Sequence, residues 1–110
     1  MVNPNEFLIL NKDSKGVIYV LINGILIQHP LPKNIDVAGK SACVIGRSSI
    51  LGKPAALMLL NKDATVTMCH SKTKNLKDIV KSSDIVVAAL GEPEFIKKEW
   101  LKKDTIVIDT

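Results

Sequence analysis

Between Val44 and Pro54 the sequence reads Val-Ile-Gly-Arg-Ser-Ser-Ile-Leu-Gly-Lys-Pro, an apolar run that empties into a glycine turn and then a helix start. Residues of these types suit the opening of a phosphate-binding βα unit. Gly46 and Gly52 allow a tight turn and close backbone approach, and Pro54 fits a first helical turn, where no amide hydrogen is needed. Amides left free at such a helix end, together with its dipole, favour an anion above the strand. The spacing departs from G-x-G-x-x-G, so a plain strand-to-helix turn without ligand uses the same residues equally well.

A second group follows the next apolar run, at Cys69-His70-Ser71-Lys72. A dinucleotide fold places the acid that holds the adenosine ribose hydroxyls near this point, and here no acid occurs. Ser71 offers a hydroxyl, Lys72 a charge and Arg47 a guanidinium from the first turn, a set that suits a 2′-phosphate and favours NADP over NAD. An exposed polar loop is the competing explanation. A third apolar run ends at Ala88-Ala89-Leu90-Gly91-Glu92-Pro93, where small residues would let a flat ligand lie against backbone, or simply make a turn.

These groups need elements to position them. From Lys40 the pattern is a strand Ser41 to Ile45, a helix Lys53 to Asn61, a strand Thr65 to Cys69, a helix Leu76 to Ser82 and a strand Ile85 to Leu90. A short segment, Glu94 to Leu101, and a last apolar run, Thr105 to Ile108, complete it. Strands apolar on both faces that alternate with helices imply an α/β fold: a Rossmann-like, doubly wound parallel sheet. Ala56, Leu59 and Leu60 are expected on the buried stripe of the first helix, and Asn75 with Asp78 as a capping pair of the second. Before Lys40 the strand-like runs Gly16 to Leu21 and Gly24 to Gln28 form either a hairpin about Asn23-Gly24 or one longer strand. They are expected to add to the edge of the parallel sheet or to pair with another copy of the chain. Pro30 and Pro32 stiffen the next loop, and the first dozen residues read as a short helix or a loose end.

The 110 residues, 46% hydrophobic and 24% charged, suit one soluble globular domain with a modest core. The net charge of +4 is scattered among acids, and the sole Trp and Tyr do not interleave with lysines as a base-stacking platform requires, so no nucleic-acid partner is expected. No apolar run is long enough to cross a bilayer, and Met1 to Glu6 lack the features of a secretion signal, so no membrane partner and a cytoplasmic location are expected. Cys43 and Cys69 lie within expected buried strands without metal-ligand spacing, which points to two reduced core thiols and no metal site.

In order along the chain, Gly46-Arg47-Ser48, Gly52-Lys53-Pro54, Ala64-Thr65-Val66-Thr67, Cys69-His70-Ser71-Lys72-Thr73, Asp84-Ile85-Val86-Val87, Gly91-Glu92-Pro93, Glu99-Trp100-Leu101 and Ile106-Val107-Ile108-Asp109 resemble the cofactor domain of the methylenetetrahydrofolate dehydrogenase/cyclohydrolase family. A shorter stretch, Gly24 to Asp36 with Gln28-His29-Pro30-Leu31-Pro32, resembles that family's folate-site strand and loop. The resemblance implies NADP held by Gly46, Arg47, Ser48 and Ser71, a folate substrate contacted by Gln28, and a multifunctional enzyme of one-carbon metabolism that couples an oxidoreductase step to a hydrolase step. It also implies residues 1–38 as a remnant of the folate domain and residues 39–110 as the NAD(P)-binding domain. The apolar strands between Gly16 and Gln28, left in need of a partner, make a homo-oligomer the expectation.

Departures from the family pattern shape the expectation about turnover. The long segment between the Pro-Leu-Pro loop and the cofactor domain is missing, because Asp36 and Gly39 are nearly adjacent. The family's Tyr-x-x-x-Lys motif has no counterpart, since Tyr19 is followed four residues later by Asn23, and the chain stops at Asp109-Thr110 where the family continues. No catalytic residue is therefore assigned, and His29 is read as a solvated loop histidine. A truncated, inactive NADP-binding or structural module is the alternative expectation.

Overall fold

A computed structural model of the chain describes residues 7–12, 18–22, 24–29, 33–46, 52–88 and 98–109. The amino-terminal part builds an antiparallel sheet in the order β1-β2-β3-β4, from β1 (Phe7–Lys12), β2 (Ile18–Ile22), β3 (Ile25–His29) and β4 (Asn34–Asp36). The sequence expectation of a short helix or loose end over the first dozen residues is thus corrected to a strand at Phe7–Lys12, residues 1–6 lying outside the described residues. Its partner is the apolar β2, with a bulge between Ile9 and Asn11. The hairpin alternative holds at Asn23-Gly24, since Ile22 pairs with Ile25 across them and Gly24 takes φ 82°. A Cβ at Gly24 would sit 3.1 Å from the Lys62 Cβ, so glycine also lets the hairpin tip approach a neighbouring loop.

From Ser41 on, the strands build a parallel sheet in the order β6-β5-β7-β8, from β5 (Ser41–Ile45), β6 (Thr65–Cys69), β7 (Ile85–Ala88) and β8 (Ile106–Asp109). Helix α1 (Gly52–Asn61) joins β5 to β6, α2 (Leu76–Lys81) joins β6 to β7, and a 3-10 turn (Lys98–Trp100) precedes β8. This is the Rossmann-like α/β arrangement. Strand residues alternate between two buried clusters, as a period of two requires. Ala42, Val44, Ile85, Val87 and Ile108 face α1, whereas Cys43, Ile45, Cys69 and Val86 meet Val80 of α2 and Trp100.

Tyr19 and Leu21 of β2, Leu26 of β3 and Val37 belong to the same cluster as α1. The antiparallel strands therefore form a sheet of their own that covers the α1 face of the parallel sheet, and do not extend its edge as the sequence reading expected. Side-chain burial explains the difference. Tyr19, Leu21 and Leu26 are apolar and buried on one shared face, so burying that face recovers more apolar area than edge pairing alone.

Two local readings are corrected. Leu60 is 57% exposed, and the buried stripe of α1 is Gly52, Ala55, Ala56, Met58 and Leu59, because residue 60 lies about 100° round the helix from Leu59. Asn75 precedes α2 with φ 61° and makes no side-chain cap bond; only its carbonyl joins the helix, accepting from the Ile79 amide at 3.1 Å. Helix α1 ends with Asp63 at φ 70° and the Ala64 amide donating to the Leu59 carbonyl at 3.1 Å, a left-handed stop built without glycine.

Asp84 fastens the amino ends of three parallel strands. Its carboxylate accepts from the Ser41 amide at 3.0 Å and pairs with Lys102 at 2.7 Å, while its carbonyl accepts from the Ile106 amide at 3.0 Å. The Lys102 ammonium first, then the Ser41 amide, hold its carboxyl below the ordinary value of 3.8. A group with a depressed folded-state pKa stabilises the fold fully above its unfolded value, and that contribution is lost as pH falls through the lower folded value. Asp84→Ala is expected to cost about 1 kcal/mol at neutral pH, mostly from the orphaned Ser41 amide, since the exposed ion pair adds little. Urea titrations should show the gap between parent and variant closing below the carboxylate range; a gap independent of pH would contradict this.

Candidate functional site

In a doubly wound sheet the crevice opens where successive crossovers leave in opposite directions, at the carboxyl ends of the strands. Here β5 is that strand, flanked by β6 and β7, and it ends at Gly46. Gly46 is buried at φ 100°, a backbone conformation that side chains rarely adopt, and its amide donates to the Cys69 carbonyl at 2.8 Å. That bond ties together the carboxyl ends of β5 and β6. Gly46 therefore sits at the carboxyl end of β5 with its own N–H already engaged. Arg47 and Ser48 lie outside the described residues, and the chain resumes at Gly52, buried at the start of α1.

One strand over, β6 ends in a closed turn. The Thr73 amide donates to the His70 carbonyl at 3.0 Å, the His70 amide donates to Thr73 Oγ1 at 2.8 Å, and the Lys72 amide donates to His70 Nδ1 at 3.1 Å. With Nδ1 accepting, the neutral ring carries its proton on Nε2. These three bonds hold Ser71 at the exposed tip of the turn, its hydroxyl without a hydrogen-bond partner among the described residues. Because Ile45 registers with Cys69, Gly46 and the Ser71 turn both lie at the carboxyl ends of the neighbouring strands β5 and β6. Thr73, three residues after His70, closes this turn with its hydroxyl, a role that short polar side chains commonly take in turns.

Gln28 sits on β3, half-buried, opposite Tyr19 and on the same face as Leu26. Its amide donates to the Lys33 carbonyl at 3.2 Å, which closes the Pro-containing loop, and no hydrogen bond among the described residues joins it to Gly46 or Ser71. His29 is exposed at the end of the strand. Cys43 and Cys69 are free, fully buried thiols with sulfurs 3.5 Å apart. Burial first, and then the neighbouring Cys69 sulfur, pushes the Cys43 thiol up to about 12, so it is no nucleophile at neutral pH. Among the described residues no group of three His, Cys, Asp or Glu could hold a metal ion, and no helix is long and apolar enough to cross a membrane.

The family profile described as tetrahydrofolate dehydrogenase/cyclohydrolase, NAD(P)-binding domain, matches residues 24–110. The chain is 62% identical over 76 residues to the bifunctional protein FolD of Cellvibrio japonicus, covering 69% of this chain and 27% of that one. Among solved structures, the Trypanosoma brucei methylenetetrahydrofolate dehydrogenase-cyclohydrolase complexed with NADP cofactor and inhibitor is 45% identical with a TM-score of 0.62, covering 66% of this chain and 25% of that chain. The bifunctional FolD of Campylobacter jejuni is 42% identical with a TM-score of 0.64, covering 66% and 26%. The chain thus spans about a quarter of the length of the relatives it matches. It belongs to the tetrahydrofolate dehydrogenase/cyclohydrolase family, and residues 24–110 match that family's NAD(P)-binding domain.

Proposed function

We propose that this chain carries the dinucleotide-binding part of an NADP-dependent methylenetetrahydrofolate dehydrogenase/methenyltetrahydrofolate cyclohydrolase of the cytoplasm. The observation that carries the proposal is the pairing of a positive-φ, buried Gly46 with an exposed Ser71 whose hydroxyl has no hydrogen-bond partner among the described residues, both at the carboxyl end of the sheet, with no carboxylate between Asp63 and Asp78 to repel a 2′-phosphate. Gly46 lets a pyrophosphate approach the backbone, and Ser71 with Arg47 and Ser48 would hold the phosphates of NADP. When bound, the nicotinamide supplies hydride acceptance. The protein's share is orientation over the β5–β7 switch point, which depends on placing the ring within reach of folate.

The domain reading is 1–38 as folate-domain remnant and 39–110 as NAD(P)-binding domain, supported by the change from antiparallel to parallel pairing at that point. The second reading, an NADP-binding module without turnover, is favoured by Tyr19 lying in a strand with no lysine four residues on, and by the close spacing of Asp36 and Gly39. Proton handling at the folate nitrogen needs a positioned acid or base, and Gln28 is neither. Self-association is part of the proposal, supported by the outer edge of β6, which pairs with no strand among the described residues. The amide of Thr65 and the carbonyl of Cys69 both face β5, so the polar backbone groups of Val66 and Met68 point outward. Sedimentation that finds only monomer at high concentration would exclude it.

Fluorescence titration tests the cofactor assignment. NADPH is expected to bind more tightly than NADH, and Arg47→Ala to remove most of the difference, since a charge-assisted bond to phosphate is worth about 1.5–3 kcal/mol. Equal affinities in the parent chain would sink the assignment. In the same preparation, formation of methenyl product from methylenetetrahydrofolate and NADP⁺ above the uncatalysed rate decides for the complete enzyme, and its absence for the binding module.

A further inference from the structure

The net charge of +4 is not spread evenly over the fold. Residues 64–81 carry Lys72, Lys74, Lys77 and Lys81 against a single acid, Asp78, leaving eleven basic and ten acidic residues in the rest of the chain. All four lysines are exposed, and none makes an ion pair among the described residues. The topology puts them at the candidate site. Helix α2 starts just past the carboxyl end of β6 and must return to the amino end of the sheet, where the Asp84 amide meets the Ser41 carbonyl at 2.8 Å. Lys74 in the loop and Lys77 in the first turn of α2 therefore flank the Ser71 turn, and Lys81 lies about 6 Å farther back along the helix.

We propose that Lys74 and Lys77 form an electrostatic funnel that speeds capture of a 2′-phosphorylated dinucleotide at the Gly46–Ser71 edge without touching it in the bound state; the proposal rests on the NADP reading above. Unpaired charges beside a cleft raise the local concentration of a polyanion and hence the association rate, and salt suppresses the effect over about 8–10 Å at physiological strength. A 2′-phosphate adds about two negative charges, so the funnel discriminates between NADPH and NADH in rate as well as in affinity. Rim charges that steer act on association, whereas contacts act on dissociation.

Stopped-flow fluorescence with NADPH and with NADH tests this on the parent chain, on Lys74→Glu/Lys77→Glu and on Lys103→Glu, a control in the exposed turn before β8. A glutamate at position 77 suits the first turn of a helix, so the fold tolerates the change. At low salt the double variant should bind NADPH about three- to tenfold more slowly, with dissociation unchanged, a smaller effect on NADH, and convergence with the parent near 0.5 M salt (roughly a 4 Å screening length). Lys103→Glu should stay within about twofold of the parent. An unchanged association rate overturns the funnel while leaving the NADP reading standing. So does a loss that is independent of salt and accompanied by faster dissociation, since that marks direct contact. If the parent gives no saturable NADPH signal, both the reading and the funnel fall.

Discussion

Truncating Leu26 to alanine is expected to lower the stability of the whole chain by about 2–5 kcal/mol, and not to loosen its first third alone. Leu26 is fully buried on β3, in the cluster that also holds Val44 of β5, Leu59 of α1 and Ile85 of β7. Losing its side chain removes the transfer free energy of three carbons and leaves a cavity that two sheets cannot both close. Because that cluster spans the antiparallel and parallel sheets, neither can melt without wetting the other's apolar face. Against a typical total of 5–15 kcal/mol the loss is large, and a melting temperature lower by about 10 °C or more should follow in a single transition. Circular dichroism melts decide it. A biphasic curve, or a midpoint moved by less than about 2 °C, would show that the two sheets are not one cooperative unit.

The parallel sheet was legible in the sequence because its two central strands, β5 and β7, are apolar on both faces. Ser41 to Ile45 and Ile85 to Ala88 have no polar alternation to suggest a solvent side, and only a sheet covered twice has a place for them. The same property put Cys43 in the core, whereas Cys69 is buried only as the last residue of the half-exposed edge strand β6; both thiols are free. The amino-terminal half was harder, for a physical reason. Whether Phe7–Lys12 is helix or strand depends on β2, and whether β2 and β3 extend a sheet or cover one depends on which face of Tyr19, Leu21 and Leu26 finds apolar company. Neither is local information. At the site, the glycine turn at Gly46 was visible as a residue type, but the Gly46 to Cys69 hydrogen bond that gives it a job was not. The Thr73 clasp on His70 likewise depends on a backbone turn that no spacing rule requires.

Replacing Gly46 with alanine should damage both stability and the site, and a second glycine separates the two effects. At φ 100° a Cβ is strained by about 1–3 kcal/mol, and the buried position gives the chain no easy way to relax. If the backbone keeps its angle, the strain remains. If it rotates to a negative φ, the bond from the Gly46 amide to the Cys69 carbonyl is lost and the chain leaves β5 in another direction, away from the start of α1. Either outcome lowers the melting temperature by about 5–15 °C, and the second removes the close backbone approach that the proposed NADPH site requires, so affinity should fall at least about tenfold. Gly39 provides the comparison. It has φ 76° in an exposed turn at the amino end of β5, with nothing within 4 Å of an added Cβ. Gly39→Ala should therefore pay a similar strain far from the crevice and leave NADPH affinity as it is. Loss of affinity in both variants alike, or in neither, would falsify the assignment of Gly46 to the binding edge.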